Sequence, residues 1–335
     1  MMSVFETEDY HGYNVKFSPF APCRVACAAS QNYGLKGIGS VYVIDFFTDE
    51  NVVQLYTALR WPDDGLFDLT WSEVCDHILW SASGDGFIQI WNILQTSQDF
   101  STISNPIQVI KAHSKEIYAI EWSLIRCENP SVLTASWDHL IKQWDGVTAQ
   151  CMRTFTGSES IVYDAAWSPQ IPSTFASASG DGFLRIYDAK ESPEIPFLAF
   201  RVNEGEALSC DWCKYNEFII ATGGTDGLIR VWDTRYVANG PVSVLQGHHR
   251  AVKKVKFSPH SDSIVASVSY DFTTKIWDFK LGLNPVSNPL LMTFQNHREF
   301  VYGLDFNLHV KDQLADCGWD KLVKIFTITP FAPLL

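Results

Sequence analysis

Short β-prone runs, several of them alternating strictly between apolar and polar residues, recur along the chain and predict an all-β protein. Residues 40–44, 87–91, 140–144, 183–187, 228–232, 273–277 and 322–326 are the clearest members. These units end at Asp45, Asn92, Asp145, Asp188, Asp233, Asp278 and Thr327, at spacings of roughly 43–53 residues. In six of them an Asp stands six residues before the closing aromatic: Asp85, Asp138, Asp181, Asp226, Asp271 and Asp320. Gly follows that Asp in three units, as a tight turn favours. A second series opens each unit. It reads Val15-Lys16-Phe17-Ser18-Pro19, Leu69-Thr70-Trp71-Ser72, Ile120-Glu121-Trp122-Ser123, Ala166-Trp167-Ser168-Pro169, Cys210-Asp211-Trp212-Cys213, Val255-Lys256-Phe257-Ser258-Pro259 and Leu304-Asp305-Phe306.

A length of 335 residues would suggest two domains, but a repeat can carry it as one body spanning 1–335. The pattern resembles the WD-repeat family over the whole chain. The resemblance implies a closed seven-bladed β-propeller, which leaves no sheet edge exposed. It also implies a network joining a loop His, a strand Ser or Thr, the turn Asp and the strand Trp. That set maps to His113, Thr134, Asp138 and Trp144 in the third repeat, and to His248, Ser267, Asp271 and Trp277 in the sixth. Ser81, Asp85 and Trp91 supply part of it in the second. The fourth has Ser158 and Tyr187 at network positions, and the seventh has Asp316 and Phe326, so packing should hold those blades. The last unit lacks an outer strand, and residues 3–7 are expected to supply it. Residues 95–106 and 280–289, polar or Pro-broken, are expected to be surface loops between blades.

Composition narrows the function. At 46% hydrophobic and 14% aromatic, the chain can bury a core. Its net charge of −13 offers no basic footprint for nucleic acid. Eight cysteines show no disulfide-like framework, which fits reduced thiols in an intracellular protein. The N-terminus is acidic where a signal peptide would be basic, and the last residues carry no retention or lipidation signal. No apolar run reaches ~18 residues, so direct membrane insertion is not expected. No phosphate loop, nucleophile elbow or metal-binding helix motif occurs. Cys210 and Cys213 would point to opposite faces of a strand, and His248 is taken by the blade network. The expectation is a non-enzymatic protein without cofactor or metal.

Function should therefore lie in what varies between repeats. In propellers of this kind, residues four and six before the opening-strand aromatic, and the residue before the turn Asp, face one side of the disc. The strand positions are His11 and Tyr13, Gly65 and Phe67, Glu116 and Tyr118, Ile161 and Tyr163, Glu206 and Leu208, Ala251 and Lys253, and Phe300 and Tyr302. The turn positions are Gly84, Trp137, Gly180, Thr225, Tyr270 and Trp319. From these, Tyr13, Phe67, Glu116, Tyr118, Trp137, Tyr163, Glu206, Leu208, Tyr270, Phe300, Tyr302 and Trp319 are the candidate peptide-binding residues. Tyr and Trp are common binding anchors, and carboxylates beside them suit a basic amphipathic helix.

A closer resemblance covers one branch of the family. His11-Gly12-Tyr13, Asn32-Tyr33-Gly34, Asp64-Gly65-Leu66-Phe67-Asp68, Leu208-Ser209-Cys210-Asp211-Trp212-Cys213-Lys214-Tyr215-Asn216-Glu217, Ser269-Tyr270-Asp271-Phe272 and Ala315-Asp316-Cys317 look like the receptors for the type 2 peroxisomal targeting signal. The resemblance implies a cytosolic import receptor that cycles to the peroxisome. Its cargo would carry an N-terminal signal with a basic residue and Leu, five unspecified residues, then His or Gln and Leu. The two halves lie two helical turns apart and share one face. A co-receptor and a peroxisomal docking complex are the further partners implied. The alternative is a substrate adaptor of a ubiquitin ligase or a general assembly scaffold, for which Trp232-Asp233-Thr234-Arg235 is a short box of the right kind.

Overall fold

The computed structural model describes residues 2–47, 52–95, 102–125, 130–284 and 286–328. Seven antiparallel sheets follow one another, each starting at the centre of the disc and stepping outward. Blade 1 comprises His11–Phe17, Arg24–Ser30, Gly39–Phe47 and Val52–Trp61. Blade 2 comprises Leu66–Trp71, Ile78–Ser83, Phe87–Asn92 and Gln108–Lys111. Blades 3 to 6 open with Ile117–Trp122, Val162–Trp167, Ala207–Trp212 and Val252–Phe257. Blade 7 has Val301–Phe306, Gln313–Gly318 and Leu322–Thr327, and its outer strand is Met2–Glu6 from the other end of the chain. The closing strand thus comes from the N-terminus as expected, one residue earlier than residues 3–7.

The second strands explain how the blades stack. They are short and rich in Ala, Ser and Thr, as in Ser131–Ser136 and Thr174–Ser179, and are buried along their length. Both faces of each blade meet a neighbour, so these strands lack the half-polar alternation of a sheet with one wet face. The core is accordingly divided into clusters between blades. One joins Val15, Cys27 and Tyr42 of blade 1 to Ala315, Cys317 and Ile325 of blade 7. That seam closes the ring, and Gly303 is needed there: a Cβ on it would lie 2.6 Å from the Asn14 Cα.

The innermost strands have an unpaired edge facing the channel, where each N–H needs an acceptor. Carboxylates from the preceding blade supply it. Asp68 accepts from the Ile120 N–H at 2.8 Å, Glu121 from Trp167 at 2.6 Å, Asp211 from Phe257 at 2.7 Å and Asp305 from Phe17 at 2.9 Å. Lysines balance this charge across the channel. Lys254 reaches Asp164 at 3.0 Å, and Lys256 lies between Asp211 at 3.3 Å and Glu121 at 3.7 Å. Part of the acidic composition is therefore internal structure.

The His–Thr/Ser–Asp–Trp networks form where the sequence places them. In blade 3, His113 Nδ1 is 3.0 Å from Asp138, Nε2 is 2.8 Å from Thr134 Oγ1, and the Trp144 N–H donates to Thr134 at 2.9 Å. A carboxylate only accepts, so Nδ1 carries the proton and Nε2 takes the Thr134 hydroxyl proton. Blade 6 repeats this with His248, Ser267, Asp271 and Trp277. In blade 2, Trp61 replaces His and donates to Asp85 at 3.1 Å, while Trp91 donates to Ser81 at 2.8 Å.

The two departing blades differ from each other. Blade 4 is held as expected by packing, with Tyr187 stacked on Phe175 at 5.0 Å and Phe155 against both. Its turn Asp181 is clamped by Arg185 at 2.5 Å. Blade 7 corrects the expectation. His297 Nε2 lies 2.9 Å from Asp316 and Nδ1 lies 2.8 Å from Asp320, with all three side chains buried. Asp316 stands where other blades have Ser or Thr, and it extends the network instead of breaking it.

Thr102–Ile103 runs parallel to Ala58–Leu59 and adds a fifth strand to blade 1, so this part of the 95–106 connection is ordered against the sheet. Residues 96–101, and residue 285 of the 280–289 connection, lie outside the described residues, as does the C-terminal segment 329–335. Leu281–Leu283 forms a 3-10 turn. No helix among the described residues is long and apolar enough to cross a membrane.

Candidate peptide-binding face

Every opening strand has a β-bulge at the same place. The register with the second strand slips between Gly12 and Asn14, Leu66 and Asp68, Ile117 and Ala119, Val162 and Asp164, Ala207 and Ser209, Val252 and Lys254, and Val301 and Gly303. The skipped residues are Tyr13, Phe67, Tyr118, Tyr163, Leu208, Lys253 and Tyr302. A bulge frees one side chain from the ladder and re-aims it. Here all seven converge on one mouth of the central channel, around a cavity of about 20 Å³ also bordered by Asn14 and Lys254.

The rings touch in sequence. Tyr163 lies 6.1 Å from Tyr118, Tyr118 is 5.1 Å from Phe67, Phe67 is 4.8 Å from Tyr13, and Tyr13 is 5.1 Å from Tyr302. The turn residues cover this circle. Trp137 stacks on Tyr118 at 5.0 Å, Trp319 on Tyr302 at 4.9 Å, and Tyr270 bridges Tyr302 at 5.3 Å and Phe300 at 4.7 Å. Offset and edge contacts of this kind make the aromatic surface one packed unit. Tyr13, Phe67, Leu208 and Tyr302 are buried and form its floor, while Tyr118, Trp137, Tyr163, Tyr270, Phe300 and Trp319 are half-buried and form its rim. Gly84, at the turn position of blade 2, leaves room for Phe67, whose ring lies 3.0 Å from where a Cβ would be.

The polar groups are ordered too. Tyr163 donates to Glu206 at 3.1 Å, and the Tyr270 and Tyr302 hydroxyls bond at 3.0 Å. Burial raises the pKa of Tyr13, Tyr118, Tyr163, Tyr270 and Tyr302, so all five remain neutral donors. Acidic residues predominate around the rim. The loops entering the opening strands carry Asp63 and Asp64 in blade 2, Lys115 and Glu116 in blade 3, Glu159 in blade 4, and Glu204 and Glu206 in blade 5. Those of blades 6 and 7 carry Arg250, and Arg298 beside Glu299.

The structure brings the twelve candidate residues to one face, Glu116 and Glu206 at its border. Two further residues join them: Lys253, which the strand offsets placed on this face without making it a candidate, and Tyr33, which they did not reach. Lys253 occupies the blade-6 bulge, and its ammonium lies 5.1 Å, 5.9 Å and 5.4 Å from the rings of Tyr118, Tyr163 and Tyr302. Tyr33 stacks on His11 at 4.0 Å and lies 5.2 Å from Trp319, while its carbonyl accepts from Tyr13 at 2.7 Å. Blade 1 has no turn Asp, and the loop that replaces the tight turn brings Tyr33 in at φ 56°.

Elsewhere the chemistry is structural. Cys210 and Cys213 are both buried, and burial raises the Cys210 thiol well above its ordinary range. Among the described residues the one His/Cys/Asp/Glu grouping tight enough for a metal is Cys75-Asp76-His77, in the turn between Leu66–Trp71 and Ile78–Ser83, at the other end of the opening strand from Phe67. Arg235 of the Trp232-Asp233-Thr234-Arg235 box is engaged within its own turn, bidentate to Asp233 at 2.9 Å and 2.7 Å.

Comparison with known proteins agrees with the repeat pattern. The WD domain, G-beta repeat model matches residues 104–145, 149–188, 199–233 and 239–278. A mouse protein named peroxisomal targeting signal 2 receptor is 44% identical over 168 residues, half of this chain and 49% of the relative. The human protein of the same name is 44% identical over 175 residues, covering 52% and 51%. The one from Saccharomyces cerevisiae is 29% identical over 250 residues, covering 66% and 64%. The chain thus matches about half the length of its mammalian relatives. With seven blades, WD repeats and these homologues, the chain is a WD-repeat β-propeller related to the peroxisomal targeting signal 2 receptors.

Proposed function

We propose that this chain is a non-enzymatic receptor for the type 2 peroxisomal targeting signal, binding the signal as an amphipathic helix across the aromatic mouth. One observation carries the reading. The residues that vary between blades have been gathered into a continuous aromatic surface bordered by carboxylates, on a scaffold whose relatives are named as receptors for such a signal. The apolar stripe of the helix would lie on Trp137, Tyr118, Tyr270 and Trp319. Its basic residues would face Glu116 and Glu206. Soft apolar contact with a few desolvated aromatic anchors, each worth ~2 kcal/mol, is enough for micromolar binding. The same reading includes a co-receptor that completes the site, a docking complex at the peroxisome, and cycling between cytoplasm and organelle.

Fluorescence anisotropy with a labelled signal peptide, with and without co-receptor, tests it. Binding that weakens when the signal's basic residue is replaced by Glu is expected. No binding with co-receptor present, or binding indifferent to that replacement, refutes it.

A further inference from the structure

The seven bulge positions pose one question that the blades do not answer. Six hold Tyr, Phe or Leu, and the seventh holds Lys253. Nothing in the repeat demands a cation there, since a Tyr, Phe or Leu fits the equivalent place in every other blade. The side chain is buried, and burial is the first cause of its lowered pKa, about 8. Three tyrosine rings lie within 6 Å of the ammonium, which softens that cost without supplying a hydrogen-bond acceptor.

The carboxylates that face it are committed elsewhere. Asp68 accepts from Asn14 and from the Leu69 and Ile120 N–H groups. Asp164 is held by Lys254, Ser209 and the Cys210 N–H. Glu206 accepts from Tyr163. Among the described residues Lys253 has a ring of π faces and no acceptor. Its Nζ is not sealed off as the Trp137 and Trp319 N–H groups are, so an acceptor in the cavity can reach it. The cavity beside it has room for about one acceptor atom or one water.

We propose that Lys253 is a recognition residue of this mouth, donating to a hydrogen-bond acceptor that the bound helix carries over the channel axis. The inference rests on the receptor reading above and adds a chemical requirement to it. Apolar contacts and carboxylates select for an amphipathic basic helix of any sequence, whereas Lys253 selects for an acceptor at one point along it. The acceptor is either a side-chain oxygen or nitrogen or a backbone carbonyl at the end of the helix. Both present the same lone pair to the ammonium.

The experiment compares wild type, Lys253→Met and Lys253→Gln by anisotropy with the signal peptide. A peptide series accompanies them, in which each side-chain acceptor is replaced in turn by an apolar residue. Lys253→Met is expected to bind the parent peptide at least tenfold more weakly while its melting temperature holds or rises. If the acceptor is a side chain, one replacement in the series weakens wild type about tenfold and leaves Lys253→Met unaffected, the coupling of a double-mutant cycle. If it is a backbone carbonyl, no replacement discriminates, and Lys253→Gln recovers part of the affinity because it keeps a donor. Lys253→Met binding within twofold of wild type overturns the inference and leaves the receptor reading intact. So does a loss that is neither coupled to any peptide position nor recovered by Gln. Wild type that binds no signal peptide overturns the receptor reading itself.

Discussion

Stability should fall as the solution is made alkaline, and blade 7 is the place to look. His297 faces a carboxylate at each ring nitrogen, Asp316 at 2.9 Å and Asp320 at 2.8 Å. Both carboxylates can only accept, so both nitrogens must carry protons and the ring is an imidazolium. Burial alone would lower its pKa, but Asp316 and Asp320 outweigh burial and raise it from 6.5 to about 9. At roughly 1.4 kcal/mol per pH unit, that separation is worth ~3 kcal/mol. The folded pKa lies above the unfolded one, so the contribution is complete below pH 6.5 and is lost as pH rises through about 9. His113 and His248 behave oppositely. Each meets a single carboxylate and otherwise hydroxyls, burial prevails, and its pKa is lowered. Those two rings penalise the fold as pH falls below 6.5. Urea unfolding followed by tryptophan fluorescence at pH 6.5 and 9.5 measures the effect. Asp316→Ser, which restores the hydroxyl of blades 3 and 6, is the control. Wild type should lose ~3 kcal/mol more than this variant across the interval. A gap that does not change with pH refutes the imidazolium assignment.

Trp137→Ala or Tyr270→Ala should weaken signal-peptide binding by ~2 kcal/mol, about thirtyfold, with an unchanged melting transition; equal affinity in both variants would place the site elsewhere. Ser267→Ala removes the partner of both His248 Nε2 and the Trp277 N–H and should cost ~2–4 kcal/mol, read as a fall in unfolding midpoint. Deleting residues 1–6 strips the outer strand from blade 7 and bares the edge Leu322–Thr327, so the shortened chain should melt earlier and elute partly as aggregate in size-exclusion chromatography.

The blades were legible because six of the seven repeat a near-constant spacing between an opening aromatic, a turn Asp and a closing aromatic. The mouth residues were legible for the same reason, as fixed offsets from Phe17, Trp71, Trp122 and their equivalents. What spacing could not convey was chemical equivalence. Asp316 reads as a lost Ser or Thr, yet a carboxylate can take the hydroxyl's place with the bond reversed: Thr134 donates to His113 Nε2, whereas Asp316 accepts from His297 Nε2 once the ring gains a proton. Lys253 was placed on this face by its offset, but spacing does not tell that its side chain is buried at a bulge among three tyrosine rings. Tyr33 was out of reach in another way. Its approach to Trp319 depends on a loop at positive φ and on ring closure between the two ends of the chain, neither of which leaves a local pattern.

The bulge also explains how one short strand serves three purposes. In a regular strand, residues on either side of a given position face the same way. Here they do not. The residues before the bulge, Leu66, Ile117, Val162, Ala207, Val252 and Val301 among them, are buried, and several belong to the clusters between blades. Those after it include Asn14, Asp68, Asp164, Ser209 and Lys254, which bond to one another around the channel. Lys254 of blade 6 meets Asp164 of blade 4, a contact that only the channel allows. The bulged residue itself opposes no partner on the second strand and points to the mouth. Three consecutive residues therefore answer to three separate constraints: interblade packing, charge balance in the channel, and whatever lies across the mouth. Because the third is uncoupled from the other two, a Tyr, a Leu or a Lys can occupy it without disturbing the ladder, and the aromatic circle with its single cation is free to be set by a ligand.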